Sequence, residues 1–141
     1  MMTAKDIKQM ALECGACDLI RGAESIADLV ALMRTPQGRE FCKKHRFPTL
    51  EMLRQHKEEL VSLNVHVDAS EIAVKNVDDI IVAGDTRLYA KYDSADRPFH
   101  VMVMHGATAD VMSYNYSVCE VTDIDGKVDA FEEGYSIIYV R

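Results

Sequence analysis

Residues 106–141 read "GATADVMSYNYSVCEVTDIDGKVDAFEEGYSIIYVR", and this stretch decides the fold class. Small or apolar residues occupy every second position in it, in blocks that begin about ten residues apart. Alternation of this kind predicts strands with one buried face, and its regular return predicts a repeating β structure. The expected inward residues are Ala107, Ala109 and Val111, then Ser117, Cys119 and Val121, then Val128 and Ala130, then Ser136, Ile138 and Val140.

The same pattern extends toward the amino terminus. Thr86, Leu88 and Ala90 alternate with Arg87 and Tyr89, and the stretch "PFHVMVMH" fits the block missing between this set and the next. From about residue 65 onward the hydrophobic period is therefore two.

Two architectures satisfy this repeat. An antiparallel meander would use Asp125 and Gly126 as one of its turns. In a β-solenoid or roll, successive strands stack in parallel, and small inward residues fill a narrow interior. The many Ala, Ser and Cys residues at inward positions favour the solenoid, and the meander stays as the alternative.

Residues 1–64 show a helical period instead. Apolar residues recur at spacings of three and four in "AKDIKQMALECGACDLIRG", and the stretch "SIADLVALMR" follows with Ser25 as its N-cap. Pro36 starts a third helix, and Thr49 precedes a fourth, "LEMLRQHKEEL". We therefore predict an α+β protein with a head of short helices over residues 1–64 and a repetitive β region over residues 65–141.

Charge and composition exclude several classes of partner. Residues 1–64 carry 10 Lys and Arg against 9 Asp and Glu, whereas residues 65–141 carry 6 against 14. The β region would repel a phosphate backbone, so we expect no nucleic-acid binding. Apolar runs are short, so we expect no membrane span, and without a signal-peptide pattern at the start we expect a cytoplasmic location with free thiols.

Four residues have the spacing of a metal site: Cys14, Cys17, Cys42 and His45. Three thiolates and one imidazole could complete a tetrahedral zinc shell, and the CxxC pair could alternatively serve thiol redox chemistry. Cys14 and Cys17 also coincide with the apolar face of a helix, where cysteine behaves as a small hydrophobic residue. We therefore predict that the three cysteines are buried thiols, and we predict no cofactor.

A second stretch, residues 121–132, resembles a calcium loop in part of its spacing. Asp123, Asp125, Gly126, Asp129 and Glu132 stand at the third, fifth, sixth, ninth and twelfth positions of the loop pattern. The first ligand position is occupied by valine, and strands flank the stretch. We predict a turn between two strands and no bound calcium.

The stretches "CGACDLIRG" and "TPQGREFCKKHRFP", with the tail pattern, resemble uncharacterised bacterial proteins that have a helical head and a tail of short β repeats. The resemblance covers most of the chain. It implies the two-part fold and assigns no catalytic or binding residue.

The candidate interaction residues lie in the β region and are Tyr114, Tyr116, Tyr135, Ile138 and Tyr139. Tyrosine is enriched where proteins meet, and the last strand, "SIIYVR", has no successor to cover its edge. The favoured function is thus a non-catalytic interaction or structural module. Its acidic, tyrosine-bearing β surface would bind a protein partner or a second copy through the C-terminal edge. The alternatives are the metal or thiol-redox protein and a small enzyme whose site the sequence does not reveal; an enzyme is the less favoured class.

Overall fold

The computed structural model describes residues 1–141, which form two compact units, Met1–Leu63 and Asn64–Arg141. All the helices belong to the first unit and all the strands to the second. The protein is therefore α+β, with an N-terminal helical part followed by a β-solenoid, as the sequence predicts.

The helical unit consists of short helices. They are α1 (Ala4–Glu13), a 3₁₀ helix (Asp18–Gly22), α2 (Ile26–Met33), α3 (Pro36–His45), α4 (Leu50–Gln55) and α5 (Lys57–Val61). Helices of this length are marginal by themselves, so contacts among their apolar faces stabilise them.

Side-chain caps define where four of these helices begin. Thr3, Ser25, Thr35 and Thr49 precede α1, α2, α3 and α4, and each hydroxyl accepts a hydrogen bond from a backbone N–H in the first turn. Pro36 occupies the first turn of α3, where no backbone donor is needed. The predicted starts of α2, α3 and α4 are confirmed.

Two predicted helices are shorter than their apolar patterns. α1 ends at Glu13, and Gly15 adopts a φ of +93°, a left-handed conformation that favours glycine and turns the chain. The fourth predicted helix is broken at His56, whose ring Nε2 lies 2.7 Å from the Met2 carbonyl oxygen. In both cases a local turn or a tertiary hydrogen bond interrupts a continuous pattern.

The β unit consists of short strands joined by corners. They are β1 (Val65–Val67), β2 (Ser70–Lys75), β3 (Ile80–Ala83), β4 (Thr86–Tyr92), β5 (Phe99–Met104), β6 (Thr108–Ser113), β7 (Val118–Ile124), β8 (Lys127–Glu132) and β9 (Ile137–Val140).

Odd and even strands form separate parallel sheets. One sheet has the order β1-β3-β5-β7-β9 and the other the order β2-β4-β6-β8. Every neighbouring pair is parallel, so the antiparallel meander is wrong and the solenoid is confirmed. Each coil contributes one strand to each sheet, which gives about four coils. The ten-residue repeat is half a coil, since Val101 pairs with Val121.

The predicted inward positions are the ones that meet in register. In one sheet Leu88 pairs with Ala109, and Ala109 pairs with Val128; in the other, Cys119 pairs with Ile138. Most of these side chains are buried in one continuous core between the sheets. Small and large residues alternate along the stack, which lets the two inner faces approach each other.

Three buried serines, Ser113, Ser117 and Ser136, form a hydrogen-bonded ladder at one corner of the solenoid. Ser113 and Ser117 are fully buried, and their hydroxyls hydrogen bond to each other. Ser117 Oγ also lies 3.1 Å from the Tyr92 carbonyl oxygen, and Ser136 Oγ donates to the Ser113 carbonyl oxygen at 2.5 Å. The ladder satisfies polar groups that the corner would otherwise bury unpaired.

Candidate interaction surface at the end of the solenoid

The solenoid has one end formed by the outermost strands β8 and β9. β9 pairs with β7 on one side, and β8 pairs with β6 on one side. The second side of each strand has no neighbouring strand in either sheet. We call this surface the solenoid end, and it comprises residues 127–133 and 136–141.

Core positions at the solenoid end are exposed. Val140 is 48% exposed, whereas Val121, its partner one coil earlier, is 0% exposed. Ala130 is exposed as well, although its partner Val111 is fully buried. These side chains occupy inward positions, so a further pair of strands stacked on this end would bury them.

Backbone hydrogen bonds identify which groups of β9 face outward along the sheet. Ile137 N–H donates to the Ser117 carbonyl at 3.0 Å, and Arg141 N–H donates to the Val121 carbonyl at 2.9 Å. Since neighbouring residues of a strand direct these groups to opposite sides, Ile138 and Val140 direct theirs away from β7.

The same alternation applies to β8. Lys127 N–H donates to the Ala107 carbonyl and Glu133 N–H to the Ser113 carbonyl. The backbone groups of Val128, Ala130 and Glu132 therefore face away from β6. The solenoid end consequently offers a second strand pair backbone donors and acceptors in both sheets.

Glu132 opposes the pairing of a further strand with this edge. It pairs with the buried Ser113, so it takes an inward position, yet it is exposed because β8 is outermost. Its Oε1 accepts the outward-facing N–H of Ile138 at 3.2 Å. An inward charge at the edge of a sheet is a recognised defence against uncontrolled strand pairing.

Aromatic residues flank the solenoid end. Tyr116 and Tyr135 stack with ring centroids 5.7 Å apart, and Tyr135 is 86% exposed. Tyr114 contacts Phe131 at a centroid distance of 6.0 Å, while the Tyr139 ring is exposed on the outer face of β9. The structure thus places the four predicted tyrosines beside strands β8 and β9 or their corners.

Ile138 was predicted both as an inward residue and as an interaction residue, and the structure places its side chain inward. Its side chain is only 8% exposed and packs into the core between the sheets. The reason is register, since Ile138 lies opposite the buried Cys119. The exposed aliphatic residues of this strand are Ile137 and Val140, and Ile138 contributes only its backbone to the edge.

The cysteines are distributed differently from the prediction. Cys42 is buried as expected, but Cys14 and Cys17 are exposed, so their predicted burial is wrong. Both lie outside α1, because the turn at Gly15 removes them from its apolar face. Burial raises the pKa of the Cys42 thiol to about 12, which keeps it protonated and unsuited to thiolate chemistry.

The structure does not gather Cys14, Cys17, Cys42 and His45 into a ligand cluster. The one group of three metal-ligating side chains with donor atoms within 4.8 Å of one another is Asp78, Asp79 and His100.

Asp78 in that group serves as a brace between coils. Its Oδ1 accepts the backbone N–H of His100 at 2.7 Å and that of Asp79 at 2.8 Å, and it lies 3.3 Å from His100 Nδ1. The two contacts with His100 hold the segment before β3 against the start of β5. Sequence reasoning missed the contact because the two segments are neighbours only in the wound solenoid.

Residues 121–132 form the predicted strand, turn and strand. Asp125 adopts a left-handed φ of 58°, and Gly126 N–H donates to Asp123 Oδ1 at 2.8 Å. The turn joins strands of different sheets and is a solenoid corner. A Cβ on Gly126 would lie 2.6 Å from Val103 Cγ1 and 2.8 Å from the Ala107 carbonyl oxygen. The close approach therefore accounts for this glycine without a metal.

No helix of the protein combines the length and the apolar character needed to cross a bilayer. The fold defines a two-sheet parallel β-solenoid with a separate helical unit. No protein-family model matches the chain, and no curated protein or solved structure is significantly similar to it.

Proposed function

We propose that this protein is a non-catalytic interaction module that binds a second copy of itself through the solenoid end. One observation carries the proposal: the inward positions of the outermost coil, Ala130 and Val140, are exposed on strands whose outward backbone groups face no neighbouring strand. Stacking a second strand pair there would bury apolar surface and pair these groups.

A second copy fits because β8 is complementary to itself. Antiparallel pairing of two β8 strands centred on Ala130 sets every outward-facing residue opposite another outward-facing residue. This register places Lys127 opposite Glu133 of the second copy, so unlike charges meet across the interface.

β9 allows the same arrangement. Pairing centred on Tyr139 sets Ile138 opposite Val140 of the second copy, and both residues direct their backbone groups outward. One two-fold rotation relates both sheets of one copy to both sheets of the other, as in most homodimers. The two cores would then join end to end.

Glu132 sets the strength of this association. A second copy must displace its carboxylate from the Ile138 N–H and bury it opposite Val128. Burying an unpaired charge is unfavourable, so Glu132 keeps the association weak. We place this module in the cytoplasm, since its four cysteines are free thiols.

The test is sedimentation equilibrium of the parent and two variants. Glu132→Gln keeps a hydrogen-bond acceptor and removes the charge, so we expect dimerisation about tenfold tighter. Val140→Lys should weaken dimerisation, because a charge replaces a side chain near the centre of the interface. Glu71→Gln is the matched control, since Glu71 is exposed on β2, far from β8 and β9 in the sheet order.

Circular dichroism must first show that each variant is folded. A parent and a Glu132→Gln variant that are both monomeric at the highest concentrations would contradict binding of a second copy. Equal dimerisation of the parent and the Val140→Lys variant would place the interface elsewhere.

A further inference from the structure

The helical unit contains a cavity, partly open to solvent, that the proposed interaction does not use. Its volume is about 340 Å³, and all of its lining residues lie within residues 7–60. All six helices contribute to it. Representative walls are Ile7 and Ala11 of α1, Val30 and Met33 of α2, Cys42 of α3, and Leu53 of α4.

The buried residues of the lining are all apolar. Ala11, Val30, Cys42 and Leu53 are buried, and the Cys42 thiol is uncharged. Apolar walls around a preformed space of this size are typical of small-molecule sites.

The cavity opens to solvent on the side of the 3₁₀ helix and α3. Leu19 belongs to the lining and is 69% exposed, so it marks the opening. Lys44 and His45 also line the cavity and are exposed. The lining has one carboxylate, that of Glu40, and one side chain with a permanent positive charge, that of Lys44. Lys44 is therefore the cation that an anionic group at the opening could contact.

The volume limits the size of the ligand. An apolar cavity of roughly 150 Å³ holds benzene, with its six carbon atoms. A cavity of about 340 Å³ has, in proportion, room for a molecule of about a dozen non-hydrogen atoms. Several helices contribute to the walls, and an unbranched alkyl chain can adapt to such walls through its rotatable bonds.

We propose that the helical unit binds a single-chain amphiphile of about a dozen non-hydrogen atoms with an anionic headgroup. The apolar chain lies among the buried walls, and the headgroup lies at the opening beside Lys44. The proposal does not depend on dimerisation, because none of the lining residues belongs to the solenoid.

Isothermal titration calorimetry of the full chain with sodium decanoate, kept below its micelle concentration, tests the proposal. We expect one molecule to bind per chain. Ala11→Leu places extra atoms in the cavity and should weaken binding about tenfold or more. Lys44→Gln removes the charge at the opening and should weaken it about two- to fivefold. Lys43→Gln is the matched control, because Lys43 is exposed and does not line the cavity.

The helical circular dichroism signal shows whether the Ala11→Leu variant remains folded. If that variant is unfolded, Lys44→Gln, which changes an exposed residue, still tests the proposal. Absence of saturable binding by the parent overturns the proposal. Equal binding by all three variants also overturns it, since decanoate then binds at another place. If decanol binds as tightly as decanoate, or decylamine binds more tightly, the part of the proposal that specifies an anionic headgroup is wrong.

Discussion

Removing one hydroxyl from the solenoid core should cost measurable stability. Tyr92 is fully buried, its ring stacks on Phe99 at a centroid distance of 4.5 Å, and its hydroxyl donates to the Val77 carbonyl at 2.7 Å. Tyr92→Phe keeps the ring and its stacking, so it leaves almost no cavity and isolates the hydrogen bond.

Tyr92→Phe lowers the free energy of unfolding in two ways, because it removes a hydrogen bond and leaves the Val77 carbonyl without its partner. The net contribution of one hydrogen bond is about 0.5–1.5 kcal/mol, and a fully buried unpaired carbonyl would cost about 1–3 kcal/mol. Val77 is half-buried, so water can reach its carbonyl in part. We therefore expect a loss of about 1–2 kcal/mol in the free energy of unfolding of the β unit.

Tyrosine fluorescence during urea unfolding measures this loss selectively. The chain has six tyrosines and no tryptophan, and every tyrosine lies beyond residue 88, so the signal reports on the β unit alone. Tyr114→Phe is the control, because Tyr114 is half-buried near Phe131; its effect should stay within about 0.5 kcal/mol. If the two variants lose the same free energy with unchanged slopes, the bond to Val77 does not stabilise the core.

Two further predictions concern the β unit. Burial, with smaller contributions from Asp78 and Glu120, raises the pKa of Cys119 to about 12. The thiol ionises near pH 8.5 in the unfolded chain, so above that pH ionisation stabilises the unfolded state. The free energy of unfolding is therefore unaffected by this thiol below pH 8.5 and falls as the pH rises toward 12. The parent should therefore lose up to about 1.4 kcal/mol more than Cys119→Ala between about pH 9 and pH 10, measured by urea unfolding followed by circular dichroism; equal losses would refute this. Gly126→Ala should destabilise the β unit by about 1–3 kcal/mol through its contacts with Val103 and Ala107, and an unchanged urea midpoint would show that the corner can relax.

The sequence was sufficient to predict which residues face the core of the solenoid. Leu88, Ala109, Val121 and Ile138 all lie inward, because a side-chain period of two holds for any strand. The same period does not distinguish a hairpin from a solenoid corner, so residues 125 and 126 fitted both architectures. The parallel pairing required the structure.

The candidate site was predictable only in part. The edge position of "SIIYVR" and the inward side chain of Ile138 both followed from the repeat. The parallel register with Cys119, which leaves only the backbone of Ile138 at the edge, required the structure. Glu132 offered a sequence signal, since it continues the inward series of Val128 and Ala130 by two residues. Cys14 and Cys17 were misplaced because a single left-handed glycine ended their helix early.

Amide hydrogen exchange at Val140, followed by NMR at several protein concentrations, tests the central claim most directly. The Val140 N–H points away from β7, whereas the Tyr139 N–H points toward it. If the solenoid end binds a second copy, exchange at Val140 should slow as the concentration rises, while Tyr139 stays protected throughout. Exchange at Val140 that is fast and independent of concentration, in a protein that still dimerises, would contradict the claim.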